Sequence, residues 1–115
     1  MELEVEFSFC SAHRLPHHPG ACSRLHGHEY RLLVSVAGKP DPKSGMIIDF
    51  EELQRLVLEE AVNGVDHGDL NAILENPTAE NLVVFLWGKL KPKIQGLKAL
   101  RLWETPQYSV TYRGE

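Results

Sequence analysis

Cysteine is scarce in this chain of 115 residues, and two thiols are too few for a disulfide framework. Cys10 and Cys22 fit a reduced protein in which each thiol is either buried or reactive, with a single bridge between them left open. Long apolar runs are missing too. The longest, from Leu82 to Trp87, falls far short of the ~20 residues that a membrane-spanning helix needs. Met1-Glu2-Leu3-Glu4 is acidic where a signal peptide is basic and then apolar, so a cytoplasmic location is expected. Positive charge is in the minority, with 12 Lys and Arg against 16 Asp and Glu and a net charge of -4. The basic residues are scattered, so the concentrated field of a nucleic-acid or membrane binder is lacking. Repeats, linkers and low-complexity segments are absent as well. What remains is one ordinary globular domain over residues 1–115, with 43% hydrophobic and 24% charged residues.

The pattern of apolar residues outlines its elements. Leu3, Val5, Phe7 and Phe9 alternate with Glu2, Glu4, Glu6 and Ser8, the period-two signature of a strand with one buried and one wet face. If that strand continues, His13 shares the parity of the buried set. A Pro- and Gly-containing loop from Arg14 to Arg24 precedes a second strand, His26 to Ala37, with His28, Tyr30, Leu32, Val34 and Val36 on one face. Asp49 and Glu52 resemble a capping box opening a helix over about Phe50 to Asn63, which Gly64 stops. Thr78 is the expected N-cap of a second helix, with Glu80 near its positive end and Lys89 and Lys91 near its negative end. Strands around Leu100–Glu104 and Tyr108–Tyr112 follow. The order ββααββ predicts an α+β domain, a four-stranded antiparallel sheet with two helices on one face. Its other face and its edges call for a cover, which packing against further copies of the chain supplies.

The chemistry concentrates in the first quarter. Residues two apart on a strand point the same way, so His26 and His28 present adjacent imidazoles. A His-x-His pair alone is most often simple polar alternation, but a third histidine upstream, His13, makes a three-nitrogen set. Three neutral nitrogen ligands with one position open is the composition of a catalytic zinc site. Cys22, separated from the pair by three residues, stands where a cation or an imidazole brings a thiol pKa toward neutrality. Cys10, among small residues after Phe9, reads better as a buried structural thiol. His17 and His18 lie in a Pro-rich loop that positions ligands poorly. Asp66-His67 has the form of a carboxylate orienting an imidazole, although an isolated pair is commonly a solvated loop, and Glu104 alone could be a surface carboxylate.

Together, Phe9-Cys10-Ser11-Ala12-His13-Arg14-Leu15, the run from Cys22 to His28, Asp66-His67 with Leu70-Asn71, Asn76-Pro77-Thr78-Ala79-Glu80 and Trp103-Glu104-Thr105 resemble the 6-pyruvoyltetrahydropterin synthase family. The likeness covers nearly the whole chain in order. A cysteine separated by three residues from His-Gly-His is similar to the 6-carboxytetrahydropterin synthase branch, which makes a queuosine precursor from 7,8-dihydroneopterin triphosphate. The resemblance implies the tunnelling fold (T-fold) and a homo-oligomer, commonly a hexamer built as a dimer of trimers, with active sites at subunit interfaces. It implies zinc on His13, His26 and His28, Cys22 as proton acceptor, and His67 supported by Asp66 as the second acid-base group. Glu104 would anchor the pterin ring and join the relay, and Thr78 and Glu80 would line the ring pocket. The implied reaction eliminates triphosphate and releases acetaldehyde, leaving 6-carboxy-5,6,7,8-tetrahydropterin. Pyruvoyl-type elimination, activity on sepiapterin, and a catalytically silent zinc-binding interaction module are the alternatives. For the triphosphate, only Arg14 and Arg24 offer themselves as cations.

Overall fold

The computed structural model describes residues 1–115. Strand β1 (Glu2–His13) pairs antiparallel with β2 (His26–Ala37) in an unbroken register from Glu2 opposite Ala37 to His13 opposite His26. Helix α1 (Phe50–Glu60), a two-residue strand β3 (Gly68–Asp69) and helix α2 (Ala79–Leu90) follow, and then strands β4 (Leu97–Thr105) and β5 (Tyr108–Tyr112). The sheet order is β3-β1-β2-β4-β5. The α+β architecture is as expected, but the sheet has five strands and is mixed, because β3 runs parallel to β1. Two residues carry no alternation to read. Long-range bonds define β3 and its approach instead: His67 N–H donates to the Cys10 carbonyl, and Ser11 Oγ donates to the Gly68 carbonyl at 2.9 Å.

Both helices start where their caps predict. Asp49 accepts from Glu51 N–H at 3.2 Å and Thr78 Oγ1 accepts from Asn81 N–H at 3.1 Å. The Asp49–Glu52 box does not close, since Glu52 turns to Arg55 instead. Helix α1 also ends earlier than expected, at Glu60, with Val62–Gly64 wound into a tighter 3-10 turn. After α2 the chain turns at Gly96, whose φ of +83° and close approach to the Ala37 carbonyl leave no room for a Cβ.

The helices bury one face of the sheet. Leu32 and Val34 of β2, Leu100 and Leu102 of β4, Leu53 and Val57 of α1 and Leu82 and Leu86 of α2 are all fully inaccessible. Each such side chain stabilises the fold by roughly 1.5–3 kcal/mol relative to exposure. The opposite face is charged. Arg31 donates twice to Glu6 Oε1, at 3.0 and 2.7 Å, and Lys98 pairs with Glu2 at 2.9 Å. The guanidinium groups of Arg31 and Arg101 lie 4.0 and 4.4 Å from the centre of the Trp103 ring. The face that the sequence left in need of a cover is therefore wettable, and the unfinished features are the edges. β3 pairs with β1 only at Ser11 and Ala12, and β5 has a neighbour on one side only. No helix is long and apolar enough to cross a membrane.

Candidate metal centre and its surroundings

β1 runs past Phe9 to His13, so the parity of its buried face is kept: Phe7, Phe9, Ser11 and His13 are buried and the residues between them are not. His13 faces His26 across the first pair of the hairpin, and His28 follows on the same side of β2. The fourth member is Glu104. β4 pairs Trp103 with Ser109 but Thr105 with Tyr108, so Glu104 is the extra residue of a bulge, a device that re-aims a side chain beside a site. Its carboxylate joins the three imidazoles, with one donor atom from each residue within 4.8 Å of the others.

Proton placement argues that a cation belongs at the centre. His13 Nδ1 lies 2.8 Å from the Pro77 carbonyl and His26 Nδ1 lies 2.7 Å from the Arg24 carbonyl. A carbonyl only accepts, so each neutral ring carries its proton on Nδ1 and turns a bare Nε2 lone pair inward. Those two Nε2 atoms are 3.1 Å apart, a repulsive arrangement unless a metal ion or a proton lies between them. His28 Nε2 is buried without a hydrogen-bond partner, although Glu104 Oε1 approaches it to 2.9 Å. Glu104 Oε1 is also 3.5 Å from His13 Nε2. These separations match the ~3.3 Å edge of a tetrahedron with metal–ligand bonds of roughly 2.0–2.1 Å. The donor set of three imidazoles and one carboxylate fits a borderline divalent metal.

The electrostatics agree. The hydrogen bond with His13 holds the Glu104 carboxyl below the usual glutamate range against its partial burial, and the charges of His28, His13 and His26 help. Burial lowers the His28 pKa, with His13 and His26 adding to the effect and Glu104 opposing it. Burial works in the same direction at His13, but the Glu104 hydrogen bond, the Pro77 carbonyl and the Glu104 charge outweigh it and raise that ring. Beneath the cluster, Tyr30 is fully buried, stacked on Phe9 with ring centres 5.0 Å apart, and its hydroxyl is 3.4 Å from His13 Nδ1.

A second group lies at the sheet edge. Asp66 Oδ1 is 2.9 Å from His67 Nδ1 and accepts from Cys10 N–H at 3.0 Å. That backbone bond, followed by the contact with His67, keeps the Asp66 carboxyl low. His67 has a φ of +56°, in the left-handed region, and strain of this kind, of order 1–3 kcal/mol, gathers at functional positions. Its side chain is 82% exposed and borders an open depression of about 440 Å³ that also touches His28, Ala12, Gly27 and Cys10.

The remaining expectations divide. Cys22 sits half-buried in a short 3-10 turn, Ala21–Ser23, and its carbonyl accepts from Leu15 N–H at 2.8 Å; its thiol is outside the four-residue cluster. Cys10 is not a buried thiol but an exposed one, because the continued alternation of β1 sends it to the open face. Thr78 caps α2 immediately after the Pro77 carbonyl that holds His13, whereas Glu80 is exposed in the first turn. His17 lines a cleft against α2, and His18 accepts from Gly20 N–H; neither joins the cluster. Arg14 is held through its backbone, exchanging two bonds with the Asn71 amide at 2.8 and 3.0 Å. Sequence reasoning missed Tyr30 and Pro77. Tyr30 was findable, since it shares the parity of His26 and His28; a backbone carbonyl such as that of Pro77 leaves no side-chain signal.

A two-helix α+β domain with a histidine cluster at one end of its sheet is the T-fold arrangement of the pterin synthases. The chain belongs to the 6-pyruvoyl tetrahydropterin synthase family, whose sequence profile matches residues 2–115. It is 38% identical over 114 residues to a 6-carboxy-5,6,7,8-tetrahydropterin synthase of Synechocystis sp., covering 93% of this chain and 88% of the relative. It is 31% identical over 138 residues to the enzyme of the same name from Haemophilus influenzae, covering 97% and 98%. Among solved structures, 6-pyruvoyl tetrahydropterin synthase of Caenorhabditis elegans superposes with a TM-score of 0.90 at 30% identity, over 100% of this chain and 96% of that one.

Proposed function

We propose that the protein is a zinc-dependent 6-carboxytetrahydropterin synthase, converting 7,8-dihydroneopterin triphosphate and water to 6-carboxy-5,6,7,8-tetrahydropterin, acetaldehyde and triphosphate for queuosine precursor synthesis. The observation that carries the reading is the convergence of the ε-nitrogens of His13, His26 and His28, the first two held as bare lone pairs by carbonyls on Nδ1, beside an ionised Glu104. Zinc held by His13, His26 and His28 would supply a Lewis acid for the side-chain hydroxyls of the substrate. Cys22 accepts the proton released from the side chain, and His67, oriented by Asp66, is the second acid-base group. Glu104 offers two parallel acceptors to the amino-pyrimidine edge of the ring, and Thr78 and Glu80 at the start of α2 line the ring pocket. No redox cofactor enters.

The 38% identity over 114 residues to a relative named for this activity, against 35% over 102 residues for one named 6-pyruvoyl tetrahydrobiopterin synthase, supports the carboxy product over the pyruvoyl one. The wide exposure of His67 supports a site completed by another subunit, and the unpaired edges of β1 and β5 support assembly through the sheet, as a hexamer. Incubation of the zinc-loaded protein with dihydroneopterin triphosphate, followed by mass spectrometry, tests the reading. 6-Carboxytetrahydropterin with acetaldehyde is the expected result. A pyruvoyl product would move the chain to the other branch, and bound zinc with no turnover of any dihydropterin would make it an interaction module. Sedimentation of a monomer at micromolar concentration would remove the interfacial site.

A further inference from the structure

Glu104 is drawn to two partners. Its Oε1 lies 2.9 Å from His28 Nε2 and 3.5 Å from His13 Nε2, at the separations of ligands sharing one ion. Gripping the amino-pyrimidine edge of a pterin needs both of its oxygens in plane with that edge. A carboxylate that lends an oxygen to the cluster cannot make that grip. As the extra residue of a bulge it has no directly opposed partner on β5, and its side chain is 23% exposed where the rest of the β4 inner face is sealed, so it faces both the cluster and the outside.

We propose that Glu104 serves the two sites in turn, closing the metal cluster as a fourth ligand when no pterin is present and leaving it for the ring edge when one enters. The inference rests on the metal and ring-anchor roles set out above. Departure of Glu104 toward the ring would then clear a place beside His13, His26 and His28 for the side-chain hydroxyls of the bound substrate. Between turnovers the cap keeps stray anions and water from the Lewis acid. Coupling of this kind is reciprocal: a pterin without side-chain hydroxyls weakens metal binding by the same factor by which metal weakens that pterin.

The test uses the full chain loaded with cobalt(II), whose visible absorption reports its ligands, with azide as the probe of the open position and unsubstituted pterin as the ring. Azide is expected to bind the cobalt protein at least ~10-fold more tightly when pterin is saturating, with a change in the visible bands on adding pterin alone. Glu104→Gln is expected to bind azide tightly from the outset, indifferent to pterin, and to hold cobalt less tightly than the parent. Equal azide affinity with and without pterin in a protein that binds both cobalt and pterin overturns the exchange while leaving both sites intact. A wild-type chain that takes up no cobalt overturns the metal reading and the exchange with it. One that takes up cobalt but no pterin overturns the ring-anchor reading instead.

Discussion

The two faces of the sheet come from the same strands and differ only in the parity of the residues they present. On the covered face of β2 the sequence runs His26, His28, Tyr30, Leu32, Val34, Val36, and everything from Tyr30 onward is sealed under the helices. On the open face it runs Gly27, Glu29, Arg31, Leu33, and the charges meet each other and Trp103 in water. The imidazoles are thus a continuation of the apolar stripe beyond the point where the helices cover it. His13 is fully buried while the side chain of His28 is 18% exposed. Such a position desolvates a lone pair enough to favour the neutral, metal-binding form of His28 and still admits a ligand from outside. The open face, dominated by solvent-screened pairs, offers no comparable place.

The largest effect should follow from interrupting the stripe where it becomes chemical. His28→Ala or His26→Ala should empty the metal site, a loss well beyond the ~10–100-fold that removal of a mere supporting partner costs. Metal analysis of the purified variants is the check, and full occupancy would return the imidazoles to ordinary polar alternation.

The two thiols carry the same comparison into activity. Cys22→Ala should reduce turnover by about 10²–10⁴-fold, the range of a general acid-base group, with metal and fold retained. Cys10→Ala, on the open face, should leave stability within about 0.5 kcal/mol of the parent. Near-normal turnover in Cys22→Ala would make the exposed Cys10, which shares a depression with His28 and His67, the thiol to examine next.

Where alternation was enforced by burial, the sequence was legible. Both long strands, the parity of His13 and the caps at Asp49 and Thr78 could be read because an inward charge or a missing cap is costly. β3 was not legible, since its pairing is decided by backbone bonds from Ser11 and His67 rather than by side-chain pattern. Cys10 was misread because its small neighbours were weighed above its parity, which puts it with Glu6 and Ser8 on the open face. Glu104 was marked from the sequence as an anchor for the ring and not as a neighbour of the metal ligands, and its closeness to the histidines depends on a bulge between Trp103 and Thr105 that no residue type announces.

Within the core the same logic gives a stability scale. Leu32→Ala, one residue from Arg31 and fully buried, should destabilise the chain by about 2–5 kcal/mol. Urea denaturation measures it, and a cost near that of a surface substitution would mean that the helices do not seal this face.

Acid should distinguish the faces more gently. The Glu104 carboxyl is held low in the folded chain by His13, then by the surrounding histidine charges, and His28 is lowered by burial. A depressed folded-state pKa contributes stability above the unfolded value that is lost as pH falls through the folded one. The metal-free protein should therefore weaken on acidification below the ordinary histidine and glutamate ranges in turn, and Glu104→Gln should flatten the lower of these two limbs. His13 acts in the opposite sense: being raised, it contributes below its ordinary value and loses that contribution as pH rises through the folded one. Urea midpoints measured across this range should carry all three trends, and an unchanged acid limb in Glu104→Gln would detach that carboxylate from the cluster.

The smallest effect belongs to the most conspicuous ion pair. Arg31 makes two hydrogen bonds to Glu6 and stacks on Trp103, but both charged side chains are about half exposed, at 47% and 51%. Such pairs give up side-chain entropy, are screened by salt and contribute about 0–1 kcal/mol, to which an exposed cation–π contact adds roughly 0.5–1 kcal/mol. Arg31→Ala should therefore cost less than Leu32→Ala next to it, with part of the difference from the parent vanishing at high salt. If Arg31→Ala instead cost as much as a core truncation, or split the assembly in sedimentation, the open face would be a buried interface between subunits and its charges would be desolvated. The contrast between a covered and a wet face would then hold for the single chain only.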